Sequence, residues 1–331
     1  MIVSPPRIRL AQLPTPLVFL ERLTAKMGGP RIYVKRDDLT GSWMTGNKVR
    51  KLEFNIAAAI AQGCDTIITC GAVQSNHCRA TVFACASLGL KVHLILRGEK
   101  PAQPDGNNFL DYVGGAEISY FPRDVYKARL AEIVAELKEK YATGGHKAFF
   151  IPSGASDGIG CWGYIHAAEE MKRDFAVQGI EPTHIVCASG SGGTQSGLII
   201  GKALHGLAAT IVGINICDDE KWFRDKITSD MAEWKSLHRH PLDVESLPIN
   251  MIDGHVGPGY GEATPEVFET IRMVARLEGL VLDPVYTGKA FNGMLKEIGK
   301  GRFTGGDTIV FVHTGGIFGL LAQRDRHDFT A

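Results

Sequence analysis

No stretch of the 331 residues approaches the roughly 20 consecutive apolar residues that a membrane-spanning helix needs. Residues Met1 to Leu10 carry arginines but no apolar run of signal-peptide length, so a cytoplasmic protein is expected. Neither sign of charge is in excess, since Lys+Arg and Asp+Glu both number 36. No long-range field would draw such a chain to nucleic acid or to an anionic membrane. A small-molecule partner is expected instead.

Cysteine is sparse and has no pairing pattern. Cys64, Cys70, Cys78, Cys85, Cys161, Cys187 and Cys217 form no CxxC pair and no Cys/His cluster at zinc spacing, so no metal is expected. Most stand in apolar runs such as Ile185-Val186-Cys187-Ala188 and read as buried free thiols. Cys78, beside the polar run Gln74-Ser75-Asn76-His77, is the exception. Also missing are the six-residue dinucleotide fingerprint and the P-loop. The glycine loop that is present, Ser189-Gly190-Ser191-Gly192-Gly193-Thr194, matches neither, which disfavours NAD and ATP and leaves a compact phosphate monoester as the better fit.

What the chain does have is the composition of a globular protein, with 44% hydrophobic and 22% charged residues. Its length fits one large α/β domain or two packed lobes, and two lobes are the working expectation. Strand-like runs occur at Ile32-Tyr33-Val34, Thr66-Ile67-Ile68-Thr69, Val92 to Leu96, Ala148 to Ile151, His184 to Cys187, Ile211 to Ile214 and Thr308 to Val312. Amphipathic segments such as Val125 to Tyr141 and Glu262 to Glu278 alternate with them. That alternation predicts parallel sheets covered by helices, with ligands bound at the carboxyl ends of strands. Three polar motifs fall at such ends: Gly71 to Asn76, Ser189 to Thr194, and His313-Thr314-Gly315-Gly316. The stretch from about Asp218 to Asp253 shows one helix and otherwise no clear pattern.

Asn47-Lys48 follows a glycine-containing turn, Gly41 to Gly46, and opens a helix expected to run from about Lys48 to Gln62. The positive end of the helix dipole disfavours an ammonium there, making Lys48 a candidate Schiff-base amine. The Ser189 to Thr194 loop, at another helix start, offers N–H groups and hydroxyls to a phosphate or serves only as a turn. Ser75 and Asn76 either cap a helix or turn toward a carboxylate or phenolic oxygen. Tyr286, in Asp283-Pro284-Val285-Tyr286-Thr287-Gly288-Lys289, lies against a planar ring or packs in the core.

With these residues assembled, the chain resembles the pyridoxal-phosphate enzymes of the tryptophan-synthase-β-like fold, in the group of D-cysteine desulfhydrase and 1-aminocyclopropane-1-carboxylate (ACC) deaminase. The resemblance runs through Leu13 to Leu17, Val34 to Thr40, Gly46 to Glu53, Gly71 to Asn76, the Ser189 to Thr194 loop, Asp283 to Lys289 and His313 to Gly316. It implies two open, mostly parallel twisted sheets flanked by helices (fold type II). A smaller lobe over 50–160 would be inserted into a larger cofactor-binding lobe over 1–49 and 161–331, in a homodimer.

By the same resemblance Lys48, beside Asn47, would hold pyridoxal 5'-phosphate as a Schiff base and move the α-proton. Asn76 would bond its phenolic oxygen, Tyr286 would stack on the ring, and Ser189, Gly190, Ser191, Gly192, Gly193 and Thr194 would bind the phosphate. Thr314 would face the ring nitrogen. Gln74, Ser75, Asn76 and His77 would receive the substrate carboxylate of a small amino acid, with Tyr260, Thr287 and Thr314 also at the substrate. Ser75, Tyr260 and Tyr286 join Lys48 as the expected catalytic set. ACC deaminases carry Glu and Leu where this chain has Thr287 and Thr314, which favours β-elimination from D-cysteine to pyruvate, hydrogen sulfide and ammonia. The turn Trp43-Met44-Thr45 departs from the group, which commonly has a further Gly there, and would reshape the substrate side of the pocket. Elimination from L-cysteate or 3-chloro-D-alanine, ACC deamination and β-replacement are the alternatives.

Overall fold

Apolar runs bounded by glycine and polar turns form the strands. In chain order these are β1 (Leu17–Phe19), β2 (Arg31–Lys35), β3 (Thr66–Ala72), β4 (Lys91–Arg97), β5 (Glu117–Phe121), β6 (Ala148–Ile151), β7 (His184–Ser189), β8 (Thr210–Asn215), β9 (Asn250–Ile252) and β10 (Thr308–Val312). The computed structural model describes residues 3–326; positions 1–2 and 327–331 of the expected larger lobe lie outside the described residues. Two sheets result, one ordered β1-β2-β10-β7-β8-β9 and the other β5-β4-β3-β6. Only β1, at an edge, runs antiparallel to its neighbour. The first sheet is therefore mixed and the second parallel, both flanked by helices, as the alternation of strands and helices requires.

Alternate residues of the central strands feed opposite cores. Val310 and Val312 join one apolar cluster of the larger sheet, whereas Ile309 and Phe311 join the other. Ile67 and Ile68 divide in the same way across the smaller sheet. This period of two, with both faces apolar, marks strands buried on both sides. β1 and β9, at three residues each, are too short to show any period, which is why they escape the sequence pattern. The segment after Asp218 resolves into a helix, Glu220–His238, followed by β9.

The helix Lys48–Ala61 carries the structure's main ionic knot. Arg50, two residues beyond its start, is fully buried and donates to Asp37 at 2.7 and 2.9 Å and to Glu170 at 2.9 and 3.0 Å. Thr15 and Tyr164 donate to Asp37 at 2.8 and 2.6 Å, and Lys35 lies 2.6 Å from both Glu170 and Asp174. The knot can form because Gly163, on the helix Cys161–Gln178, has no side chain: a Cβ there would lie 2.7 Å from the Arg50 carbonyl. Burying so many charges is favourable only when each is paired and hydrogen-bonded, as here.

Burial by itself would raise the Glu170 carboxyl, but the hydrogen bond and charge of Arg50, then Lys35, hold it down at about 2. A carboxyl depressed in the folded state stabilises the fold above its unfolded pKa and loses that contribution as pH falls toward the folded value. Glu170→Gln is therefore expected to destabilise the protein by about 3 kcal/mol at pH 7. In urea unfolding the gap to wild type should close as pH falls from 5 to 2; a gap that stays constant over that range would contradict the assignment.

Candidate active site

Gly46 lets the turn before Lys48 lie against the end of β10. Its φ is +105°, and a Cβ there would stand 2.6 Å from the Thr314 carbonyl, to which the Asn47 N–H also donates at 3.2 Å. Lys48 thereby meets residues from three other strand ends. It lines an inner cavity with Asn47, Asn76, Gly190, Ser191, Gly192, Thr194, Tyr286 and Thr314. An outer cavity of about 570 Å³ shares Lys48, Ser191 and Tyr286 with it and adds Ser75, His77 and Tyr260.

The Lys48 amine makes no hydrogen bond or ion pair among the described residues. The cavity leaves its side chain some exposed area, yet burial of the amine, and secondly the charge of Lys51, lower its pKa well below the usual lysine value. The helix begins at Lys48, as expected from sequence, and burial and Lys51 add to the disfavouring of an ammonium there. An uncharged amine is what a Schiff-base nucleophile needs.

Lys51 lies three residues on, along the same helix face, and is fully buried. Burial lowers it to about 8 against the opposing charges of Asp230, Cys161 and Asp157. Its amine donates to Ser156 Oγ at 3.2 Å, which lies 2.8 Å from Ser191 Oγ and accepts from the Gly193 N–H at 3.3 Å. Glycines permit this approach, since a Cβ on Gly193 would stand 2.6 Å from Ser156 Oγ and one on Gly154 2.5 Å from Ser191 Oγ. The sequence reading gave no role to Lys51 or Ser156. The strand-end rule, applied there only to the ends of β3, β7 and β10, would have reached the latter had it been extended to the loop after β6.

A chain of fixed donors sets the orientation of Asn76. Arg79, which can only donate, bonds Asn107 Oδ1 at 3.0 Å, so Asn107 must present its amide hydrogens to Asn76 Oδ1, also at 3.0 Å. The Asn76 NH2 group is left for the cavity. Ser75 both caps the helix Asn76–Ser87, accepting from Cys78 N at 3.1 Å, and lines the outer cavity. The N–H groups of Asn76 and His77, in the first turn, have no acceptor among the described residues. Across the cavity the Tyr260 and Tyr286 hydroxyls share a very short hydrogen bond. Burial pushes Tyr286 well above the usual phenol value and Tyr260 up to about 12, so both are protonated at neutral pH.

Several expected contacts are not made by the side chains named for them. Gln74 lines neither cavity, because its amide is tied to Asp105 O and the Asn107 N–H. Thr287 is buried with its hydroxyl on Asp283 Oδ1 at 2.7 Å. Ser189 turns away to Gln195 Oε1 at 2.6 Å. Thr69 donates to Ile151 O, so the His77 Nε2–H must donate to Thr69; the buried Nδ1 is then an unpartnered acceptor that would repel a carboxylate. Only the backbone of His77 can serve there. Trp43 is 56% exposed between Phe83 and Phe318, and neither it nor Thr45 lines either of these two cavities; their carbonyls accept from Arg79. Cys78 is fully buried, with its thiol pushed well up by burial.

These donors fit pyridoxal phosphate. The Ser191 and Gly192 N–H groups have no protein acceptor among the described residues, and Thr194 Oγ1 accepts from Asn47 Nδ2 at 2.9 Å, which frees its hydrogen to donate. With the Lys51 charge behind them they suit a phosphate. Asn76 offers a donor for a phenolic oxygen and Lys48 an amine for an aldehyde. Because Lys51 titrates near 8, affinity for pyridoxine 5'-phosphate, which lacks the aldehyde, should fall as pH rises above about 8. Fluorescence titration of the cofactor-free protein should show Lys51→Met binding at least about tenfold more weakly, the scale of one charge-assisted hydrogen bond, and without that alkaline limb. The same limb in the variant would contradict the role.

Comparison with known proteins agrees with this chemistry. A family described as "Pyridoxal-phosphate dependent enzyme" matches residues 8–315. "Bifunctional D-cysteine desulfhydrase/1-aminocyclopropane-1-carboxylate deaminase, mitochondrial" of Arabidopsis thaliana is 39% identical, over 96% of this chain and 80% of that one. "D-cysteine desulfhydrase" of Klebsiella pneumoniae (strain 342) is 36% identical over 96% of each chain. A solved structure described as an "ACC deaminase homologue" superposes with a TM-score of 0.88 at 36% identity, over 97% of this chain and 95% of that one. The chain belongs to the family of pyridoxal-phosphate-dependent enzymes.

Proposed function

We propose that the protein is a D-cysteine desulfhydrase, a carbon–sulfur lyase that eliminates the thiol of D-cysteine to give pyruvate, hydrogen sulfide and ammonia. The observation that carries this reading is that no carboxylate lines the inner cavity, where Thr314 is a neutral hydroxyl. Bound pyridoxal phosphate supplies an aldehyde for the substrate's amino group and a ring that acidifies the α-hydrogen. With no acid to hold a proton on the ring nitrogen, less charge is drawn into the ring, which favours expulsion of a group from Cβ over transamination.

The protein's own groups then divide the work. Lys48, kept uncharged by burial and Lys51, would hold the cofactor at its aldehyde and would be the base for the substrate's α-proton. The Ser75 hydroxyl and the Asn76 and His77 N–H groups receive the substrate carboxylate at the start of their helix. The protonated Tyr260–Tyr286 pair provides one hydroxyl hydrogen to a group leaving Cβ. Opening a cyclopropane ring, which has no good leaving group, calls for an acid at the substrate. Position 287, where ACC deaminases carry Glu, holds a threonine directed at Asp283.

The test is product release by the purified holoenzyme. D-cysteine should give pyruvate and sulfide in equal amounts, with no second substrate required, and ACC should give no 2-oxobutanoate. Formation of 2-oxobutanoate from ACC with none of the sulfide would overturn the reading, and turnover only after adding an external nucleophile would make the enzyme a β-replacement synthase.

A further inference from the structure

Tyr260 sits on a segment with no regular structure of its own. It lies between β9 and the helix Pro265–Glu278, in the run Val256-Gly257-Pro258-Gly259-Tyr260-Gly261, where Gly257 and Gly261 have φ of +70° and +83°. Glycines at such angles leave a chain many alternatives unless something tethers it. Yet the Tyr260 hydroxyl stays on that of Tyr286, the residue just before the helix Thr287–Gly299. Lys289, a buried cation that no step above uses, stands one turn on from Tyr286 along that helix. Its amine donates to Gly259 O at 2.6 Å and to Val256 O at 2.7 Å, and lies 3.4 Å from Ile216 O, just beyond β8. The three hydrogens of an ammonium thereby meet three carbonyls. No carboxylate pairs with it among the described residues, and Asp283 and Glu262 act on it only at a distance.

Stability alone would not choose this place for a cation, since burial without a counter-ion is costly and the start of a helix is its positive end. The carbonyls explain the choice. Ile216 belongs to the end of a sheet strand and Lys289 to a helix, so two rigid elements grip the loop at Val256 and Gly259. The Gly259 carbonyl and the Tyr260 N–H share one rigid peptide plane, so fixing the first sets how Tyr260 leaves the loop. The Glu262 N–H also donates to that carbonyl, at 3.3 Å, but from within the loop. Gln323 holds the Gly261 carbonyl at 3.1 Å and the Arg97 guanidinium carbon lies 5.3 Å from the Tyr260 ring centroid, and neither restrains this plane. We infer that Lys289 is a positioning residue for the elimination: it gathers three carbonyls and so holds the Tyr260 hydroxyl against that of Tyr286, where the pair serves the group leaving Cβ. This rests on the β-elimination reading and adds the residue that places its acid. A departing thiolate, on which the Cβ–S electron pair stays, is basic enough to need that hydroxyl hydrogen, whereas chloride is not.

The experiment compares wild-type holoenzyme with Lys289→Met, which keeps the bulk and removes the charge, and with Lys289→Ala, which lets water reach the carbonyls. Each is made with and without Tyr260→Phe, and pyruvate is measured from D-cysteine and from 3-chloro-D-alanine. In Lys289→Met, and in the same sense in Lys289→Ala, kcat for D-cysteine should fall about a hundredfold, the lower end of what a placed acid contributes, while kcat for 3-chloro-D-alanine falls less than about threefold. Adding Lys289→Met to Tyr260→Phe should cost nothing further on D-cysteine, because both changes act through one hydroxyl. An equal fall on both substrates would make the lysine a packing residue only, and effects that multiply in the double variant would show that it acts elsewhere. Either result overturns the inference, as does an unchanged kcat. Hydrogen exchange supplies a readout that needs no turnover: the amides of residues 256–261 should exchange about tenfold faster in both Lys289 variants, the scale of one hydrogen bond to a charged group, with those of the sheet strands unchanged. Pyruvate from neither substrate in wild type, with that exchange shift present, would remove the lyase reading and keep Lys289 as the tether of the loop; unchanged exchange in both variants would overturn the tether.

Discussion

The buried pairing of Arg50 with Asp37 and Glu170 is the constraint on which the site depends. It joins the helix that starts at Lys48 to the helix Cys161–Gln178 and to the segment after β2, so the first turn of the lysine helix cannot shift without breaking bidentate contacts of 2.7–3.0 Å. Charges in an interior are tolerated only when geometry matches them closely, and this is what makes the knot a positional device. Gly163 and Gly46 serve the same end by letting backbone approach backbone on either side of that helix.

Two lysines leave this turn with different tasks. Both are buried and both are easier to deprotonate than an exposed lysine. Lys48 has no partner among the described residues and lines the cavity, whereas Lys51 touches Ser156 and has Asp230 and Asp157 as nearby opposing charges. The same helix would thus supply, on our proposal, an amine nucleophile and, three residues later, a cation behind the phosphate loop. Lys51 in turn is the second cause of the Lys48 shift, after burial.

Much of this was legible in the sequence because parallel strands expose their carboxyl ends on one side. Motifs after β7 and β10 share one end of the larger sheet and the motif after β3 ends a strand of the smaller one, and Asn76, Ser191 and Thr314 do share a cavity with Lys48. What sequence adjacency does not reveal is the direction of a side chain. Thr287 and Gln74 stand next to site residues yet point to Asp283 and to the Asp105–Asn107 turn. Nor can local pattern reveal partners distant in the chain. Asn107 fixes Asn76 from 31 residues away, and Ser156 reaches Ser191 across 35.

We propose that Lys48 carries the cofactor and Lys51 does not. Borohydride reduction of the holoenzyme fixes the lysine–cofactor bond, and mass spectrometry of its peptides then locates the label. The account predicts the pyridoxyl group on Lys48 alone; label on Lys51 would contradict it.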